Sequence, residues 1–215
     1  MPYFKTNSDE DILFIHIPKA GGSSIEKYFC NKYKVDITKM DLHGYLDERI
    51  KKKYRAFTST SMQHLSYDLI YKMRKELNIP FENKKIKLIA SVRNPYDKVL
   101  SDMFFNRLLN PGTTPEATFE AMKIYLSKDC YDNHNIPQHI FVTQNGKMVD
   151  GMIILKQETL TEDMKKIGYT DFNEWENRTF NGIKCVYKNH LNKDSIDLIN
   201  KVFAKDFELF DYEML

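Results

Sequence analysis

The stretch from Ile12 to Ser24, ILFIHIPKAGGSS, constrains this chain more than any other. Ile12 to Ile17 is a short apolar run rich in β-branched residues, the pattern of a buried strand. Pro18 and the pair Gly21-Gly22 punctuate it. Ser23 or Ser24 can then cap a helix running from about Ser24 to Lys34. A strand, a glycine loop and a helix N-terminus together make an anion cradle. The glycines let backbone N–H groups turn inward, and the first helical turn presents open donors and a positive dipole end. Lys19 and the two serines add a cation and two hydroxyls, so the loop suits phosphate or a phosphate-like group. It is not a nucleotide-kinase loop of the form G-x-x-x-x-G-K-[ST], because Lys19 precedes both glycines. Taken alone, the stretch could also be a plain strand-to-helix turn.

A second segment weighs against the plain turn. Leu88 to Val92, within an expected strand from Ile86, has the buried-strand pattern, and Arg93 stands at its end. Asn94 is a natural N-cap and Pro95 suits the first turn of a helix running to Leu109. Ser101 follows within that helix. In open α/β sheets ligands bind beyond the carboxyl ends of the strands, where Lys19 and Arg93 both fall. A guanidinium offers a planar fork for phosphate oxygens, and a nearby hydroxyl adds a donor. Alone, Arg93 would be read as half of a structural ion pair.

The two segments together resemble the donor-binding signatures of sulfotransferases that use 3′-phosphoadenosine 5′-phosphosulfate (PAPS). The nearer likeness is to the carbohydrate branch, the heparan 2-O- and chondroitin-type enzymes. His16 to Ser24 fits H-[IL]-P-K-[TAC]-[GA]-G-[ST]-[ST]. Arg93 to Ser101 fits R-[DN]-P-x-x-R-x-x-S, except that Lys98 stands where Arg is more usual. The resemblance implies a P-loop-like sulfotransferase fold: one α/β domain over residues 1–215, with a central, mostly parallel sheet flanked by helices. It implies that Pro18, Lys19, Ala20, Gly21, Gly22, Ser23 and Ser24 hold the 5′-phosphosulfate, and that Arg93 and Ser101 hold the 3′-phosphate. His64-Leu65-Ser66-Tyr67-Asp68 is similar to the segment bearing the family's histidine base, although Met62 replaces a second histidine. Pro137-Gln138-His139, Val149 to Glu158 and Asp206 to Tyr212 extend the likeness along the chain.

The chemistry implied is in-line transfer of a sulfuryl group to an acceptor hydroxyl, with adenosine 3′,5′-bisphosphate as the other product and no metal. Lys19 is expected to neutralise the departing bridging oxygen. His64 is expected to take the acceptor's proton, a usual task for an imidazole. His134 and His139 flank Pro137-Gln138 and could face the acceptor instead. His16 is expected to be a hydrogen-bonded core residue, and no His/Cys/carboxylate group has metal-ligand spacing in the sequence.

Composition fits an ordinary globular enzyme. The 215 residues are 42% hydrophobic and 29% charged, enough to bury a core. A net charge of +2 gives no support to nucleic-acid binding. Cys30, Cys130 and Cys185 are odd in number and widely spaced, which suggests reduced thiols. The chain shows no signal-peptide pattern and no apolar run long enough to span a membrane. A cytoplasmic location is therefore expected, unlike the anchored Golgi members of the branch. The expected partner is a carbohydrate or other hydroxyl-bearing acceptor. Lys32, Lys34, Lys51, Lys52, Lys53, Lys84, Lys85 and Lys87 could line a cleft for an acidic glycan or be solvated faces. A non-catalytic nucleotide-binding scaffold of the same fold is the alternative of a different class, and a nucleotide-dependent kinase a more distant one.

Further elements expected from pattern are a strand at Arg55 to Ser59, a helix from Tyr67 to Leu77 and a helix from Pro115 to about Leu126. A strand from Met152 to Lys156, a helix from Leu160 to Ile167 and a closing helix from Ser195 to Phe207 complete the reading.

Overall fold

The computed structural model describes residues 2–35, 61–128, 132–173 and 187–215, together with Arg49, Lys52 and Lys53. The expected strand at Arg55 to Ser59, and His43, Cys130 and Cys185, lie outside the described residues.

The chain opens with β1 (Tyr3–Phe4) and β2 (Glu10–Ile15), followed by α1 (Gly22–Tyr33). A 3₁₀ turn at Met62–His64 precedes α2 (Tyr67–Lys72), β3 (Lys85–Val92), α3 (Pro95–Phe105) and α4 (Pro115–Leu126). Next come α5 (His139–Val142), a hairpin of β4 (Thr143–Gln144) and β5 (Lys147–Met148), and β6 (Met152–Lys156). A 3₁₀ turn at Gln157–Thr159 leads into α6 (Leu160–Lys166), and α7 (Lys193–Val202) and α8 (Ala204–Phe210) close the chain.

The central sheet has the order β1-β2-β3-β6. β3 runs parallel to both β2 and β6, and β1 is antiparallel to β2. This is the expected α/β class, with helices on both faces of a mostly parallel sheet. The alternation of β2 and β3 explains the layering. Leu13, Ile15, Leu88, Ala90 and Val92 pack with Tyr67 and Ile70 of α2 and with Phe141 and Val142 of α5. Ile12, Phe14 and Ile89 face the other way, onto Ile25, Tyr28 and Phe29 of α1 and Leu160 and Met164 of α6. A third apolar cluster joins α3, α4, α7 and α8 through Leu100, Met103, Met122, Tyr125, Ile199 and Phe207. Parallel pairing aligns the carboxyl ends: Ile15 lies opposite Ala90, and Val92 opposite Lys156. The loops after all three strands therefore leave one edge.

Several helix limits follow from caps visible in sequence. Asn94 Oδ1 accepts from Tyr96 N at 3.0 Å, with Pro95 at the first helical position. Thr114 Oγ1 accepts from Ala117 N at 3.3 Å ahead of α4. Other limits differ from expectation. Arg107 takes a left-handed backbone (φ 58°) and stops α3 before Leu109. α2 ends at Lys72, and hydrogen-bonded turns carry the chain on past Leu77. The single helix expected from Ser195 to Phe207 is two, broken at Phe203 (φ −106°, ψ 19°). The break aims α8 so that buried Asp206 reaches the start of α5. Its carboxylate accepts from Gln138 N at 2.7 Å and His139 N at 2.8 Å, satisfying amides that the helix leaves open.

Asp206 also stands near the fully buried ammonium of Lys98. Removing it leaves that charge and two amides poorly compensated. Asp206→Ala should therefore cost about 3–5 kcal/mol, read by urea denaturation; a loss below about 1 kcal/mol would mean that Asp206 acts as a surface charge does.

Candidate active site

The loop after β2 turns sharply through two left-handed residues, Lys19 (φ 63°) and Gly21 (φ 87°). Gly21 is the N-cap of α1, which starts at Gly22, so neither Ser23 nor Ser24 caps it as the sequence had suggested. Both serines instead lie in the first helical turn, Ser23 exposed and Ser24 buried. Their amides belong to the set that a helix start leaves pointing along its axis. Gly22 is required by packing: a Cβ there would sit 2.5 Å from His16 Nε2 and 2.6 Å from His16 Cδ2. The imidazole thus lies against the loop backbone.

Lys19 is half-buried, and its Nζ stands 3.9 Å from the centroid of the Phe105 ring. Burial pushes its ammonium down from the usual lysine range, nearby Asp102 opposes this, and Arg93 and Lys98 add to it. Arg93 stands at the end of β3, where its Nη1 donates to the Lys19 carbonyl at 3.3 Å. Its backbone is clamped by Gln138, whose Oε1 accepts from Arg93 N at 2.9 Å while Nε2 donates to Arg93 O at 2.8 Å. Ser101 is buried on α3.

Three histidines, each bonded to a carboxylate, form a row beside this loop. His16 Nδ1 lies 2.6 Å from Glu26 Oε1, and both residues are buried, as expected for a hydrogen-bonded core histidine. His64 Nδ1 lies 2.8 Å from Asp132 Oδ2, which also accepts from Ser61 Oγ at 3.0 Å. His134 Nδ1 lies 2.7 Å from Asp102 Oδ1. Ring centroids are 5.2 Å apart between His16 and His64, and 4.8 Å between His64 and His134. Phe105, 57% exposed, stacks on His134 with centroids 6.2 Å apart. Burial lowers His64 from 6.5 to about 4; the flanking His16 and His134 add to this and Asp132 opposes it. His139 belongs to another place: its Nδ1 lies 2.7 Å from Asp206 Oδ1. His190 Nδ1 lies 3.0 Å from the Thr113 carbonyl.

His64, Asp132 and His134 also offer atoms within 4.8 Å of one another, a grouping that could hold a cation and that sequence spacing did not show. Nδ1 of each histidine is already committed to a carboxylate. Residues missed by the sequence reading are Glu26, Phe105, Asp102, Asp132 and Gln138 in its clamping role. For two of them a signal existed. Glu26 falls on the apolar side of α1, four residues from Gly22, and Asp102 follows Lys98 by four on the buried face of α3.

A family model described as the sulfotransferase family matches residues 2–213. The chain belongs to the sulfotransferase family. No curated protein and no solved structure matches it. The match spans both loops and the histidine row of this sulfotransferase. Among the described residues, no helix is long and apolar enough to cross a membrane.

Two outcomes test this geometry. Gly22→Ala should cost about 1–3 kcal/mol through overpacking, and the penalty should shrink in a His16→Ala background; an unchanged penalty there would place the strain elsewhere. His64 makes stability pH-dependent. Above pH 6.5 it is neutral folded or unfolded; between 6.5 and about 4 the unfolded chain binds a proton that the folded chain resists. Stability should therefore fall as pH drops through that window. His64→Gln should flatten the decline, whereas an identical slope in urea melts of the variant would exclude this cause.

Proposed function

We propose that this chain transfers the sulfuryl group of PAPS to a hydroxyl of an acceptor, most simply a carbohydrate. The observation that supports this best is the meeting of the donor loop with Arg93, whose Nη1 reaches the Lys19 carbonyl at 3.3 Å. Parallel pairing of β2 and β3 brings them to one edge.

The residues suit such a donor. Gly22 keeps the backbone bare where a side chain would collide with His16. The first turn of α1 supplies amides and a positive dipole end for anionic oxygens. PAPS brings an activated sulfuryl group whose transfer leaves charge on an oxygen of the 5′-phosphate. Pro18, Lys19, Ala20, Gly21, Gly22, Ser23 and Ser24 surround that end. The ammonium of Lys19, partly stripped of water, neutralises the developing charge more strongly than a solvated cation would. Arg93 and Ser101 read the 3′-phosphate by a guanidinium fork and a hydroxyl. On the acceptor side an imidazole takes the proton: His64 holds the position that the resemblance names, and His134 is in ring contact with it.

A neutral sugar suits the surroundings better than a polyanion. Lys84, Lys85 and Lys87 stand at or near the start of β3, the opposite end of that strand from Arg93. Lys32, Lys53, Lys84 and Lys87 are each paired with a carboxylate. Phe105, largely exposed beside Lys19, adds apolar surface suited to the apolar side of a sugar ring.

Thermal-shift titration and sulfate transfer to a panel of sugars test this reading. Arg93→Ala should weaken adenosine 3′,5′-bisphosphate by about 1.5–3 kcal/mol and adenosine 5′-phosphate far less. Equal losses would put Arg93 on the fold or on the 5′ side. Lys19→Ala should depress turnover more than bisphosphate affinity. Tight bisphosphate binding by the wild type without transfer to any hydroxyl would favour a nucleotide-binding scaffold.

A further inference from the structure

We infer that His134 is the base of this site, with Asp102 as its positioning residue and His64 as a packing neighbour of its ring. The inference rests on the sulfotransferase reading above and deepens it.

The argument begins with Asp102. Its carboxylate is fully buried on α3. One oxygen accepts from Asn106 Nδ2 at 2.9 Å and meets His134 Nδ1 at 2.7 Å, and the other accepts from the Tyr125 hydroxyl. Despite burial, the bond to His134 and the charge of Lys98 help hold its carboxyl below the usual range, so it is an ionised acceptor. An ionised carboxylate can only accept, so the His134 proton sits on Nδ1 and the lone pair on Nε2. That is the tautomer a base needs, and the carboxylate stabilises the imidazolium that forms.

Both the backbone and the ring of His134 are held. Lys98 Nζ donates to the His134 carbonyl at 2.6 Å, and the Phe105 ring lies parallel to the imidazole within 8°. The same Phe105 ring carries the ammonium of Lys19. The ammonium of Lys19 and the His134 ring thus stand next to one aromatic side chain.

His64 is less suited. It is packed between two other imidazoles, whereas the described ring neighbours of His134 are one imidazole and the Phe105 ring. Its partner Asp132 is more exposed than Asp102. Among the described residues, the charged or titratable groups facing His134 are Asp102 and Lys98 from α3, His64 from the 3₁₀ turn, and Lys19 through Phe105. Tyr125 of α4 and Asp132 lie one bond further out.

In the step itself, the acceptor oxygen bonds to sulfur while its O–H bond breaks and the proton passes to His134 Nε2. The bond from sulfur to the 5′-phosphate oxygen breaks with its electron pair, beside Lys19. Nothing is oxidised or reduced.

Sulfate transfer, bisphosphate affinity and imidazole ¹⁵N NMR together test the assignment. His134→Gln should lower turnover by about 10²–10⁴-fold while still binding adenosine 3′,5′-bisphosphate, which also reports that it is folded. His64→Gln should lose less. Asp102→Asn should lower turnover, move the acidic limb of the rate profile to lower pH and shift the His134 proton from Nδ1 to Nε2. If Asp102→Asn does not fold, the His134→Gln and NMR results decide alone. A larger loss for His64→Gln than for His134→Gln, or a wild-type His134 carrying its proton on Nε2, would overturn the assignment. A wild type that sulfates no hydroxyl sinks the transferase reading and the base with it; one that transfers while His134→Gln loses nothing sinks the base alone.

Discussion

Much of this structure hangs on one buried ammonium. Lys98 is fully buried, and moving such a charge out of water costs several kcal/mol unless it is compensated. Here it donates to the His134 carbonyl at 2.6 Å and faces the carboxylates of Asp102 and Asp206. Each carboxylate then organises a different part of the site. Asp102 holds the His134 ring. Asp206 holds the amides of Gln138 and His139, and the Gln138 side chain clamps the backbone of Arg93. Arg93 in turn reaches the carbonyl of Lys19. From Asp206 a line of hydrogen bonds thus runs through Gln138 and Arg93 to the loop after β2, and the same ammonium anchors the His134 backbone.

A second constraint is the way buried carboxylates are neutralised. Glu26, Asp102 and Asp206 are all buried, which is tolerated only with a charged or strongly donating partner. Each has an imidazole, and each imidazole is thereby fixed in orientation. Gln63 bridges the first pair, donating to Glu26 Oε2 at 2.9 Å with its amide 3.0 Å from His16 Nδ1. His16 is held flat enough that the loop can pass over it only with glycine at position 22. The shape of the loop after β2 and the charge balance of the core are therefore one arrangement.

These features differ in how far the sequence discloses them. β2, β3 and β6, the loop from Pro18, the cap at Asn94 and the helix opening at Pro115 are local: alternation, glycine and proline chemistry, and a short polar side chain before a helix suffice to find them. The start of α1 was misplaced because Gly21 caps it in a left-handed backbone, which competes with the two serines that follow. The break at Phe203 was invisible because its cause, the reach of Asp206 to α5, joins residues 67 and 68 apart in sequence. The histidine row is equally non-local: Met62 breaks the pairing next to His64, and His134 arrives from another segment to touch the same ring. Asp132 has no helical or strand register that could announce it. Lys98 and Asp102 had a readable i,i+4 spacing, but spacing alone does not distinguish a solvated pair from a fully buried one.

Phe105 shows how weak and strong contacts divide the work. Its ring is largely exposed, so a folding argument alone would place a polar residue there. Cation–π contact with Lys19 is worth about 0.5–2 kcal/mol, a partial offset to the desolvation of the half-buried ammonium. A charge-assisted hydrogen bond to an anionic oxygen is worth about 1.5–3 kcal/mol, so under the proposed function the ring would yield the ammonium to the donor. The same ring braces His134 by stacking. On that reading, a contact strong enough to lock Lys19 would compete with the donor, and its loss would leave a mobile, hydrated lysine. An aromatic side chain lies between these limits, which fits an exposed phenylalanine at the junction of the loop after β2 and the histidine row.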